Sequence, residues 1–86
     1  MVSENEFKRI CWACRRGMLE LDLVMGPYVE HRFRTLDDIN QRRFINLLES
    51  EDTELFAWFL AKGRPDDPEL AIIVDDIIAF TKTPRS

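Results

Sequence analysis

Two thiols, Cys11 and Cys14, are the first residues of this 86-residue chain whose types and spacing suggest chemistry. A Cys-x-x-Cys pair does redox work at the N-terminus of a helix that follows a strand, where the helix dipole lowers the thiol pKa. Here Cys11-Trp12-Ala13-Cys14 falls well inside a helical pattern, with no strand-like run before it. Two thiols also fall short of the four ligands of a structural zinc site. They read as small apolar core residues, the usual role of a free cysteine.

The carboxylate pairs Asp37-Asp38, Asp66-Asp67 and Asp75-Asp76 are each adjacent in sequence. The first two stand where helices begin and read as caps rather than as acid–base couples. The single histidine, His31, lies among Val29, Glu30, Arg32 and Phe33 with no serine or thiol beside it. A histidine so placed is structural or exposed, not catalytic. A glycine-rich phosphate loop and a Rossmann turn are both missing from the sequence. No catalytic, metal or cofactor site is therefore expected in this chain.

Size points the same way. Eighty-six residues make one domain, spanning 1–86, and a chain this short buries only about 60–65% of its unfolded surface. A deep, water-excluding active site would compete with that thin core, so a binding module is favoured. The net charge of −4 argues against nucleic acid as the main partner. Residues 1–45 hold eight Lys/Arg against seven Asp/Glu, whereas residues 46–86 hold four against nine. The second half is a solvated acidic surface, and the positive charge of interest lies in Lys8, Arg9, Arg15 and Arg16. No apolar run reaches the roughly 18 residues needed to span a bilayer. The polar start Met1-Val2-Ser3-Glu4-Asn5-Glu6 is unlike a secretory signal or a presequence, so the expected location is the cytoplasm.

Helix signals must supply the frame. Ser3 with Glu6 is a capping box, and Phe7, Ile10, Cys11 and Cys14 follow the spacing of a buried stripe. Gly17 is suited to the left-handed break before a second helix from about Met18, which buries Leu21, Val24, Met25 and Tyr28. Gly26-Pro27 predicts a kink or restart in it. Thr35 with Asp38 predicts an N-cap for a third helix to about Glu49, burying Leu36, Ile39, Phe44, Leu47 and Leu48. Asp52 is expected to cap a fourth helix that stops at Gly63, with Pro65 behind it. Asp67-Pro68 opens a fifth, with Leu70, Ile73, Val74, Ile77 and Ile78 as its stripe. The fold class is all-α, a compact five-helix bundle.

On the first helix, Arg9, Trp12 and Arg16 fall opposite the buried stripe. An outward tryptophan between arginines is the raw material of an interaction hot spot. The alternative is that Trp12 packs under a neighbouring helix while the arginines are merely solvated. Glu20, four residues after Arg16, could pair with it, a contact worth little if exposed. It could equally offer its carboxylate to a partner.

The segment Trp12-Ala13-Cys14-Arg15-Arg16-Gly17-Met18-Leu19-Glu20 resembles the Arg-Gly-x-x-Glu region of the succinate dehydrogenase assembly factors, also called FAD assembly factors. Leu47-Leu48-Glu49, Asp52, Leu55-Phe56, Trp58-Phe59-Leu60 and Gly63-Arg64-Pro65 are similar in turn, so the resemblance runs from about Phe7 to Ile78. It implies a non-enzymatic, chaperone-like helper that binds the flavoprotein subunit of succinate dehydrogenase, and in bacteria also that of fumarate reductase. The helper promotes covalent attachment of FAD to a histidine of that client, so the flavin belongs to the client and no cofactor is held stably here. The family's surface motif carries over to Arg16, Gly17 and Glu20, with Arg9 and Trp12 matching further binding positions. Two other classes stay open: an antitoxin-like or regulatory adaptor of a membrane protein, and a small thiol oxidoreductase using Cys11 and Cys14.

Overall fold

Ser3 opens the first helix as its sequence requires. Its Oγ accepts from the Glu6 amide at 3.1 Å, and its own amide donates to Glu6 Oε1 at 3.4 Å. In the computed structural model, which describes residues 2–82, five helices follow one another. They are α1 (Glu4–Ala13), α2 (Leu19–His31), α3 (Asp38–Leu47), α4 (Asp52–Phe59) and α5 (Pro68–Lys82), with one 3-10 turn over Phe33–Thr35 between α2 and α3. The described residues contain no strand. The Cα radius of gyration is 12.0 Å, matching the roughly 12 Å of a folded chain this long.

The apolar stripes converge on one core. Leu21, Met25, Tyr28 and Val29 of α2 meet Phe44 and Leu47 of α3, Leu55 of α4, and Ile73, Val74 and Ile77 of α5, all buried. Aromatic rings bind the layers together: Tyr28 stacks on Phe44 at 5.4 Å between centroids, and Phe80 meets Tyr28 edge-on at the same distance. α5 lies against α2, α3 and α4 alike. Ile10 and Cys14 bring the end of α1 onto this core.

Several expected boundaries move, each for a local reason. Gly26-Pro27 does not restart α2, which runs unbroken through both residues. The Leu23 carbonyl that proline deprives of a donor sits under an exposed side chain, where water can serve it. The cap of α3 is Asp37, whose Oδ1 accepts from the Asn40 amide at 2.9 Å, while Thr35 turns its hydroxyl to the Arg32 carbonyl. Ile39 is exposed rather than buried. Glu51, not Asp52, is the cap residue of α4, and its amide donates to Glu54 Oε1 at 3.1 Å. α4 ends at Phe59, before Gly63. Its left-handed terminator is Ala61 at φ 59°, with Lys62 bonded back to the Ala57 carbonyl and Ala61 to that of Trp58. That pair of bonds is a Schellman closure built without glycine.

Candidate interaction surface

α1 ends at Ala13, earlier than the stripe through Cys14 and Arg16 suggested, and residues 14–18 form the connection to α2. On α1 the side chains of Arg9 and Trp12 both face outward, Trp12 being 69% exposed. Trp12 is therefore not packed under another helix. Its cationic neighbour is Arg15, whose guanidinium carbon lies 5.4 Å from the ring centroid, a geometry for cation–π attraction. Arg16, which the wheel placed beside Trp12, turns away from this face. Trp12 and Arg15 also help line an open groove of about 440 Å³, together with Phe7, Lys8, Cys11 and Arg34. Arg34 covers the Phe7 ring at 3.9 Å and pairs with Glu4 at 2.7 Å.

Of the two thiols, only Cys14 lies on the inner side, since Cys11 also borders the groove. Cys14 is buried and Cys11 half-buried, and both are free. Burial pushes the Cys14 thiol up to about 12 from 9.0, and raises that of Cys11 as well. A nucleophilic or redox-active cysteine needs the opposite shift. The packing role expected of them stands.

Arg16 departs most from its expected place. The sequence put it on the surface with Glu20 as its nearest carboxylate, yet its side chain is only 16% exposed and its partner is Asp52, at 2.7 Å. The same guanidinium donates to the carbonyls of Leu48 at 2.8 Å, Ser50 at 2.6 Å and Ala13 at 3.2 Å. Its backbone amide donates to Asp22 Oδ1 at 3.0 Å. Arg16 thus ties the α1–α2 connection to the one between α3 and α4.

Next to that anchor the chain turns outward. Gly17 adopts φ 78°, a conformation costly for any residue with a Cβ, and beyond its own atoms and those of its two chain neighbours nothing lies within 4 Å of where a Cβ would stand. It is the left-handed break that the sequence predicted, although it sits in the connection rather than directly at the end of α1. Glu20, one residue into α2, is exposed. Beside it Leu19 and Leu23 are also exposed, at 67% and 65%. Sequence reasoning passed over these two leucines. Their signal was present, because i, i+4 leucines opposite Leu21, Met25 and Tyr28 have no place in the core. The motif residues thus divide: Gly17 and Glu20 lie on the surface, as do Arg9 and Trp12 of α1, whereas Arg16 is locked behind them. His31 is exposed at the end of α2. Asp75 and Asp76 point to different arginines, Arg64 and Arg32, and do not form a couple. No helix among the described residues is long and apolar enough to cross a membrane.

Comparison with known proteins places this arrangement. The family model described as flavinator of succinate dehydrogenase matches residues 8–81. The FAD assembly factor SdhE of Photobacterium profundum is 47% identical over 83 residues, covering 96% of this chain and 94% of that protein. The protein of the same name from Pseudomonas aeruginosa is 45% identical over 78 residues, 91% of this chain and 93% of its own. The solution structure of a UPF0350 protein superposes with a TM-score of 0.79 at 47% identity, over 94% of this chain and 86% of that one. A five-helix domain matched along nearly its whole length in sequence and in shape belongs to the succinate dehydrogenase flavinator family.

Proposed function

We propose that this chain is an FAD assembly factor that binds the flavoprotein subunit of succinate dehydrogenase, with that of fumarate reductase as a second client, and promotes covalent attachment of FAD there. The observation that carries the reading is the outward turn at Gly17, an open backbone flanked by exposed Glu20, Leu19 and Leu23. A client surface can approach the main chain closely where no Cβ intervenes. Trp12 and Arg9 on α1 supply an aromatic anchor and a cation, the residue types that dominate interface energetics.

On this reading the helper performs no bond chemistry. The flavin belongs to the client, and His31 is not its acceptor. Binding would hold the client in the conformation that aligns flavin and acceptor histidine, so that binding energy is converted into orientation. The packed, raised-pKa thiols support a non-enzymatic role.

Co-expression of the chain with the flavoprotein subunit tests the reading. The expected result is a co-purifying complex and a marked rise in covalent flavin, read as in-gel fluorescence of the denatured subunit. A subunit equally flavinylated with and without the helper would overturn it.

A further inference from the structure

The Arg16 guanidinium has five N–H donors, and four of them are already committed, to Asp52, Leu48, Ser50 and Ala13. It therefore has little left to offer a partner, although it stands in the middle of the surface motif. Its acceptors lie more than thirty residues away in sequence, with the exception of Ala13 in its own turn. Three of them belong to the single short segment that joins α3 to α4 and opens α4.

We propose that Arg16 and Asp52 are positioning residues, which together hold the Gly17–Glu20 turn in the form that the flavoprotein client recognises. The inference rests on the proposed function and assigns a role to the 48–52 segment. Geometry supports it from both sides of the turn. Ahead of Gly17, the Arg16 side chain is fixed to the α3–α4 connection, and its amide is fixed to Asp22 of α2. Behind it, α2 begins at Leu19 with no side-chain cap on its first turn. The left-handed residue between them thus depends on Arg16 for its placement. A turn so held is preorganised, and preorganisation lowers the ordering cost of binding. The planar fork of arginine spreads its donors over three nitrogens and so reaches a carboxylate and diverging carbonyls together, whereas the three donors of lysine all leave from one nitrogen.

The test varies Asp52, which lies outside the motif. Flavinylation of the client subunit is measured against concentration of the full-length chain for wild type, Asp52→Ala, Asp52→Glu and Arg16→Lys. Melting temperature and amide hydrogen exchange at Gly17 are recorded for each. For Asp52→Ala we expect the half-maximal concentration to rise at least about fivefold, a usual size for coupling between sites. The rate at saturation should be unchanged and the Gly17 amide should exchange faster. Asp52→Glu should recover most of the affinity, and Arg16→Lys only part. Two results would overturn the proposal: an unchanged half-maximal concentration despite faster Gly17 exchange, or a fall in the saturating rate for Asp52→Ala. A wild-type chain that fails to stimulate flavinylation at any concentration removes the function reading itself, a result distinct from either.

Discussion

Tyr28 Oη donates a 2.6 Å hydrogen bond to Asp76 Oδ2, a carboxylate that Arg32 also grips through two bonds of 2.8 Å. The tyrosine is fully buried, so this bond joins the core of α2 to the flank of α5. Asp76→Ala would strand the Tyr28 hydroxyl without its acceptor, at a cost of about 1–3 kcal/mol. Tyr28→Phe removes donor and demand together and should cost about 1 kcal/mol or less. Thermal unfolding of the two variants should rank them in that order. The arginine bonds, then the tyrosine bond, hold the Asp76 carboxyl below its ordinary 3.8 despite the opposing effect of burial. Its contribution is therefore complete above that value and is lost as pH falls through the lower folded one. Wild type should lose melting temperature more steeply than Asp76→Asn as pH falls below 3.8.

Cys14 gives the opposite sign. Its folded pKa is raised from 9.0 to about 12, so the stability from burying the neutral thiol is intact below 9.0 and is lost as pH climbs towards 12. Alkaline unfolding should accordingly be less steep in Cys14→Ala, which gives up about 1 kcal/mol at neutral pH for the lost packing. In native protein iodoacetamide should alkylate Cys11 well before Cys14. Equal rates would mean that the end of α1 opens readily.

Ala61 carries a left-handed turn without glycine's freedom, at φ 59° and with its side chain exposed. Relieving that conformation should outweigh the greater chain entropy of glycine in the unfolded state. Ala61→Gly is expected to stabilise the domain by about 0.5–1 kcal/mol, seen as a higher urea midpoint at constant slope.

Substitutions at the outward turn separate contact from conformation. A Cβ at Gly17 has open space around it, and Gly17→Ala and Gly17→Arg share the same backbone strain, so both should lose about 1–2 kcal/mol. Only the arginine would stand in the path of a client, and only it should abolish covalent flavin. Glu20→Ala, at an exposed position, should shift stability by less than about 0.5 kcal/mol and still weaken flavinylation. Full flavinylation with Gly17→Arg would move the contact surface elsewhere.

Signals confined to a few neighbouring residues were legible in the sequence. Ser3 with Glu6, Asp67 before Pro68, and the alternating stripes of α2 and α5 locate their helices because each device acts over a single turn. Glu51 escaped notice because the reciprocal Glu54 bond lets an unfavoured cap residue serve. Ala61 escaped because its left-handed turn carries no glycine to mark it. Helical geometry set Trp12 opposite the buried stripe but left open whether another helix covers it, and only the fold shows it exposed. The inward turn of Arg16 lay beyond that geometry, because α1 stops three residues earlier and the partner Asp52 lies 36 positions on. A wheel carries no information about a side chain beyond the helix end. Of the two roles open to Glu20, pairing with Arg16 is excluded by a contact that only the tertiary fold creates, Arg16 with Asp52.

The placement of α5 bears on how the chain is made. It is the last of the five helices to leave the ribosome, yet it is the one that seals Tyr28, Phe44 and Leu55 against solvent by packing on three others. A nascent chain ending before Pro68 would display those residues uncovered, with Arg32 and Arg43 lacking the carboxylates of Asp76 and Glu69. Stable folding is therefore expected to follow synthesis of α5, the helix whose packing completes the core.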